Sequence, residues 1–221
     1  MNSNQEYYKQ IHENVGSFGA GDGHDLYIAA VVSFLRPNNV LDYGCGKGRL
    51  VGFLKKHYSF QVDGYDPSVS GFSELPENRF DLLTCTDVLE HIPEFELEDF
   101  LKALKSKSSV CLLIPHLQES SVYLPDGTNV HCTIKTTEEW KKLLSQHWVT
   151  VNEFQHHSDK HAAFIVSDEQ VLLESLQPLL CLIADTKRSE YYFQRRTIRS
   201  RIGRVLQYFG LRHYLKRVIQ S

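Results

Sequence analysis

Nowhere in these 221 residues do two cysteines stand in a CxxC pair, and the five present (Cys45, Cys85, Cys111, Cys132 and Cys181) are odd in number. That excludes a disulfide framework or a thiolate zinc site and leaves reduced thiols in packing positions. A transmembrane helix is excluded as well: the longest apolar stretch, Tyr27 to Leu35, is nine residues and holds Ser33, whereas a span needs about 20. The N-terminal MNSNQEYYKQIHENVG lacks a basic n-region and an apolar h-region. No secretory signal is therefore expected, and the cytoplasm is the expected location. Internal repeats and low-complexity stretches are missing too. What is there is ordinary globular composition, 42% hydrophobic and 23% charged, in a length that suits one medium domain with an appendage.

The charge is unevenly spread. Residues 187–221 carry ten Lys or Arg against Glu190 alone, a net +9, which leaves −12 on residues 1–186. Apolar residues recur there near a 3.6 period, from Tyr192 through Ile202 and Phe209 to Ile219, broken at Gly210. Two amphipathic helices are expected. Their apolar faces would dock on the acidic body, on an anionic membrane surface as a peripheral contact, or on a polyanionic partner. The division is thus residues 1–168 as the main domain and residues 169–221 as a basic helical tail.

Along the body, residues 24–35 read as a helix capped by Asp22 or Asp25 and ended by Arg36-Pro37-Asn38-Asn39. Short apolar segments follow at Val40–Tyr43, Phe60–Tyr65, Phe80–Cys85 and Val110–Ile114, with helical stretches at Arg49–His57 and Phe95–Lys105. That alternation means a parallel sheet with covering helices. Thr136 and Glu139 form a capping box, and the β-like runs Val149–His156 and His161–Val166 around Ser158-Asp159-Lys160 close the sheet as an antiparallel hairpin.

VLDYGCGKG, Val40 to Gly48, joins a buried strand directly to a helix, so Gly44, Gly46 and Gly48 sit where the backbone turns tightly and approaches a ligand. Asp42 precedes the turn, and Asp66 ends the next strand eighteen residues after Gly48. An acidic side chain there can accept both hydroxyls of a ribose. The spacing departs from GxGxxG and lacks GK[ST], which favours a nucleoside without a pyrophosphate.

These residues, with VDGYDPS (Val62 to Ser68) and FDLLTCTDVLEHI (Phe80 to Ile92), resemble the class I S-adenosylmethionine-dependent methyltransferases over about residues 5–166. The resemblance implies a Rossmann-like, mostly parallel α/β sheet. It implies S-adenosylmethionine as cofactor, held by Asp42, Gly44, Cys45, Gly46, Gly48, Asp66, Pro67, Thr86 and Asp87. In that set the glycines pack under the methionine and ribose, Asp66 takes the ribose hydroxyls, Asp42 orients the glycine loop, and Thr86 and Asp87 line the cleft. One departure stands out. Only thirteen residues separate Asp66 from Phe80, Pro67, Gly71 and Pro76 among them, too few for a helix and a strand. The third strand of the family is expected to be missing, with a loop over the adenine and Phe72 as a stacking partner.

Methyl transfer from a sulfonium is an in-line displacement, so the protein aligns the acceptor and removes its proton. Asp87, Glu90 and His91, at i, i+3 and i+4, share a face if DVLEHI begins a helix. With His131, in DGTNVHCTIKTTEEW, they resemble the metal-holding residues of methyltransferases that modify the 2′-hydroxyl at small-RNA 3′ ends. Two readings stand side by side: Asp87, Glu90, His91 and His131 hold a divalent ion such as Mg²⁺, or Glu90 and His91 only cap the helix. A metal would bind a vicinal diol and acidify one hydroxyl; without it, His131 or His116 serves as general base. His12, His24, His57, His147, His156, His157, His161 and His213 have no spacing argument. Cys132 is expected in a buried strand or turn. The small body also resembles short bacterial and phage glycan-modification methyltransferases. The expected reaction is O-methylation of a sugar or similar hydroxyl in polysaccharide biosynthesis, on a small-molecule or glycan acceptor, a lipid-linked one among the candidates. RNA ribose methylation and a noncatalytic cofactor-binding scaffold are the alternatives. Nucleic acid is disfavoured because no base-stacking aromatics are interleaved with basic residues before residue 187.

Overall fold

The computed structural model describes residues 23–124, 126–169 and 175–192. Its elements, in chain order, are α1 (Asp25–Leu35), β1 (Asn39–Tyr43), α2 (Arg49–His57), β2 (Gln61–Tyr65), β3 (Leu82–Thr86), a 3₁₀ turn (Leu89–His91), α3 (Glu94–Lys107), β4 (Val110–Ile114), α4 (Thr137–Leu144), β5 (Thr150–Glu153), β6 (Phe164–Ser167) and α5 (Gln177–Tyr192). The strands form one sheet in the order β2-β1-β3-β4-β6-β5. The first four are parallel and β6 runs antiparallel to both β4 and β5.

Strands covered on both faces are apolar at successive positions; β4 (VCLLI) is, and β3 (LLTCT) departs from it at Thr84, a buried hydroxyl, and at Thr86. The period of two then sorts their side chains into two cores. Val40, Leu82, Leu112 and Ile165 face the layer that holds Tyr27, Ile28 and Val31 of α1 and Leu54 of α2. Leu41, Leu83, Leu113 and Phe164 face Leu101 and Leu104 of α3 and Trp140 and Leu144 of α4. The result is a three-layer Rossmann-like sandwich. The capping box at Thr136 and Glu139 is present with both reciprocal hydrogen bonds.

Residues 67–79 hold neither helix nor strand, so among the described residues β2 is an edge and no third parallel strand lies beyond it. The loop folds back on itself: Phe72 N–H donates to Val69 C=O at 3.1 Å, and Asp66 N–H donates to Phe72 C=O at 2.8 Å.

Two expectations are corrected and a third is narrowed. The N-cap of α1 is His24, which makes no side-chain capping bond, and Asp25 is the first helical residue; Asp22 lies outside the described residues. Cys132 is exposed. The segment from residue 169, divided off as a helical tail for which docking on the body was one of three readings, supplies Leu176, Leu180 and Ala184 to the α1 side of the core. Its helix, α5, packs against α1. Two of its cations are tied to the body: Lys187 donates to Gly23 C=O, and Arg188 donates to the carbonyls of His156 at 2.7 Å and His157 at 3.2 Å. Apolar contact and backbone acceptors together outcompete solvation of this stretch. The two amphipathic helices expected from the periodicity extend beyond residue 192 and there lie outside the described residues. No helix among the described residues is long and apolar enough to cross a membrane.

Leu180 is 1% exposed. Leu180→Ala should therefore cost about 2–4 kcal/mol of stability in urea unfolding, whereas a tail merely appended to the body would leave the midpoint unchanged.

Candidate functional site

Every parallel strand ends at the same edge of the sheet, and the site is assembled there. The loop after β1 turns on three left-handed glycines, Gly44, Gly46 and Gly48, with φ of 81°, 52° and 72°. The N–H groups of Gly44 and Cys45 both donate to Tyr65 C=O, at 2.7 and 3.1 Å, which clips the loop to the end of β2. Asp66 tightens the clip: one carboxylate oxygen accepts Gly46 N–H at 3.0 Å and the other accepts Ser68 N–H at 2.9 Å. A Cβ on Gly44 would lie 2.2 Å from Val88 Cγ2, and one on Gly48 would lie 2.4 Å from Phe72 Cζ. Two of the three glycines thus make room for protein side chains. Phe72, expected as a ring over the adenine, presses on the glycine loop itself.

Asp42, on β1, is almost wholly buried. Its carboxyl accepts from the Thr84 hydroxyl of β3 at 2.9 Å. Burial pushes its pKa up to about 7, against the Thr84 hydrogen bond and with help from the charges of Asp66 and Asp25. The loop tether expected of Asp42 is supplied by Asp66. Burial likewise pushes the Cys45 thiol up, so it stays protonated. Pro67 follows Asp66 at the start of the 67–79 loop, and Thr86 ends β3, half-buried beside Asp87.

Asp87 adopts the left-handed backbone with φ 55°, a conformation Asp tolerates better than most residues, and its N–H donates to Ile114 C=O at 2.9 Å. That turn breaks any helix starting at Asp87, and only Leu89–His91 forms a short 3₁₀ turn. Asp87 therefore stands apart from Glu90, His91 and His131, with which it was expected to hold a metal. Its carboxylate faces two histidines from distant segments. His24 Nε2–H donates to one oxygen at 2.9 Å and His161 Nε2–H to the other at 3.0 Å. Burial opposes ionisation, yet these two donors hold Asp87 well below the usual carboxylate range.

The remaining three do converge. One ligand atom from each of Glu90, His91 and His131 lies within 4.8 Å of the others. His91 Nδ1–H donates to Val130 C=O at 2.8 Å and His131 Nδ1–H to Gln118 C=O at 2.7 Å. Each backbone carbonyl fixes the tautomer that leaves the lone pair on Nε2. Glu90 is fully buried and neither carboxyl oxygen has a hydrogen-bond partner. Burial, then the charge of Asp87, raises its pKa well above the usual range. His116 bridges the two groups, with its ring 4.8 Å from that of His131 and 4.7 Å from that of His161. Burial and then His161 lower its pKa, which keeps the imidazole neutral.

His24 and His161 were missed because nothing in local spacing relates them to Asp87, 63 and 74 residues away. A histidine where an apolar helix wants Ser or Asp at its N-cap was the one available signal.

The raised pKa of Asp42 has a stability consequence with a definite sign. The folded state binds a proton the unfolded state has lost, so stability contributed by Asp42 is present below about pH 4 and lost as pH rises toward 7. Asp42→Asn should match wild type in urea unfolding at pH 4 and become the more stable protein by pH 7.5. The difference should reach up to about 4 kcal/mol.

The profile of the family described as "Methyltransferase domain" matches residues 24–167. No curated protein sequence matches the chain. Among solved structures, the chain is similar to the methyltransferase domain of bacterial CtHen1, at 22% identity and a TM-score of 0.51 over 64% of this chain and 95% of that one. It is similar to DhpI in its complex with SAH, at 16% identity and 0.56 over 75% and 96%. It is also similar to the mitomycin 7-O-methyltransferase MmcR, at 12% and 0.51 over 72% and 60%. At these identities the likeness is one of fold. Taken with the glycine loop, Asp66 and the six-stranded sheet, the family match establishes that the chain belongs to the methyltransferase-domain family, as a class I S-adenosylmethionine-dependent methyltransferase.

Proposed function

We propose that the enzyme O-methylates one hydroxyl of a vicinal diol on a sugar-containing acceptor, of the kind handled in glycan biosynthesis. The observation that carries this reading is the convergence of Glu90, His91 and His131 at the sheet edge, with both imidazoles held by backbone carbonyls in the ligating tautomer.

The edge fits its cofactor: Asp66 ends β2, the loop from Gly44 to Gly48 ends β1, and Thr86 and Asp87 follow β3. Glu90 fits a cation, because a fully buried carboxyl without a partner is costly until a charge faces it. Two imidazoles and one carboxylate suit a transition-metal dication better than Mg²⁺. When bound, S-adenosylmethionine supplies an electrophilic methyl group, and a dication supplies the Lewis acidity that makes a diol hydroxyl easier to ionise. The chain's own contribution is positional. Asp66 fixes the glycine loop, the Val130 and Gln118 carbonyls fix the two imidazoles, and the neutral His116 stands beside His131 as proton acceptor. The +9 charge of residues 187–221 supports an acceptor presented at an anionic surface, such as a lipid-linked glycan. A terminal RNA ribose presents the same diol and is the second reading, supported by the resemblance of Glu90, His91 and His131 to the metal-holding residues of methyltransferases that modify small-RNA 3′ ends.

Methyl-labelled cofactor offered with nucleotide sugars, lipid-linked glycans and RNA should label a diol-bearing acceptor, and the product should resist periodate cleavage. Equal labelling of acceptors without a diol, or label on nitrogen, overturns the reading. His131→Gln should lower transfer by about 10²-fold or more. Asp66→Ala should weaken cofactor binding by about 1–3 kcal/mol in calorimetry, with the free protein still folded by circular dichroism.

A further inference from the structure

We infer that His24, Asp87 and His161 form a second cation site, separate from the Glu90, His91 and His131 set and suited to a transition-metal dication such as Zn²⁺. The two sets share no ligand. Each residue of this one offers one atom, and the three lie within 4.8 Å of one another. They come from three separate parts of the fold: His24 from the N-cap of α1, Asp87 from the left-handed turn after β3, and His161 from the connection that leads into β6.

The geometry is that of a site closed on itself. The Nε2 atoms stand 2.9 and 3.0 Å from the two Asp87 oxygens. Zinc bonds of about 2.0–2.1 Å in a tetrahedron place ligand atoms about 3.3 Å apart. One ligand atom from each residue lies within 4.8 Å of the other two, so the three start within about 1.5 Å of that spacing.

A fourth donor is at hand. His156 is 5% exposed, its Nε2 is buried without a partner, and its ring centroid lies 5.2 Å from that of His24 and 4.8 Å from that of His161. Its Nδ1 lies 3.3 Å from Ser158 C=O, the kind of carbonyl contact that orients a metal-binding imidazole. A buried nitrogen left without a partner beside two imidazoles and one carboxylate is costly in a cluster held by hydrogen bonds alone. A cation would give the His156 Nε2 a partner and take the Nε2 atoms of His24 and His161 as ligands, while the buried Nδ1 atoms of His24 and His161 stay without hydrogen-bond partners. Imidazole donors select Zn²⁺, Co²⁺ or Ni²⁺ over Mg²⁺ and Ca²⁺.

The cluster is also held in place from behind. Arg188 of α5 donates to the carbonyls of His156 and His157, and Lys187 to that of Gly23. The loops that carry His24 and His156 are thereby fixed to one helix, which lowers the cost of bringing the ligands together. An ion here would staple the start of α1 and the β5–β6 connection to the end of β3.

The test is ion stoichiometry in the full chain. Chelator-treated protein is titrated with Co²⁺, read by its d–d absorption, and with Zn²⁺, read by elemental analysis after dialysis and by the melting temperature. A His91→Gln/His131→Gln double variant should retain one ion and still be stabilised by Zn²⁺. Adding His161→Gln or Asp87→Asn to it should weaken that ion at least about tenfold and abolish the melting shift, with circular dichroism confirming that at least one of the two triple variants is folded. The inference is overturned if the double variant binds no ion, or if its ion is unaffected by both further substitutions. These readouts do not depend on transfer activity, so the O-methylation reading fails or survives separately in the labelling assay.

Discussion

Four acidic side chains, Asp42, Asp66, Asp87 and Glu90, gather at the carboxyl edge of the parallel strands, three of them buried and Asp87 partly covered. Taking a carboxylate out of water costs several kcal/mol unless donors or a counter-charge replace the solvent, and the arrangement of the edge follows from how each cost is met. Asp66 takes two backbone N–H groups and in doing so shapes the glycine loop. Asp87 takes two imidazole donors and draws His24 and His161 toward it. Asp42 and Glu90 have weaker company, and burial raises the pKa of both, so each holds its proton more tightly than a free carboxyl until a counter-charge faces it.

The missing strand changes what the glycine loop does. In place of a crossover helix, residues 67–79 fold back so that Phe72 lies on Gly48 and approaches Gly64. Glycine at these positions is then required by internal packing as well as by positive φ at Gly48. The loop is held by protein atoms, Phe72, the Tyr65 carbonyl and the Asp66 carboxylate, which shapes the edge without depending on a ligand.

The basic C-terminal segment proves less separate than its charge suggests. α5 and the residue before it bury Leu176, Leu180 and Ala184 beside α1, and the helix spends Lys187 and Arg188 on carbonyl groups next to the histidines. Stability of the body and placement of the site residues are therefore coupled through one helix.

Strand and helix positions were legible in the sequence because they depend on local periodicity. α2 and β4 fall where the pattern puts them, the capping box at Thr136 and Glu139 forms as spaced, and the missing strand follows from counting residues between Asp66 and Phe80. The glycine turn and Asp66 were legible for the same reason, since a strand, a tight turn and the end of the next strand are neighbours in both sequence and space. Glu90 and His91 were found with His131 by motif resemblance. Which histidines meet Asp87 was decided by the tertiary structure alone. The partners lie 63 and 74 residues away, and one left-handed residue turned the carboxylate off the helix face that its spacing implied. Charge counting left open whether residues 187 and 188 face the body, a membrane or a polyanion, because composition cannot register that a folded body offers carbonyl acceptors to those two side chains.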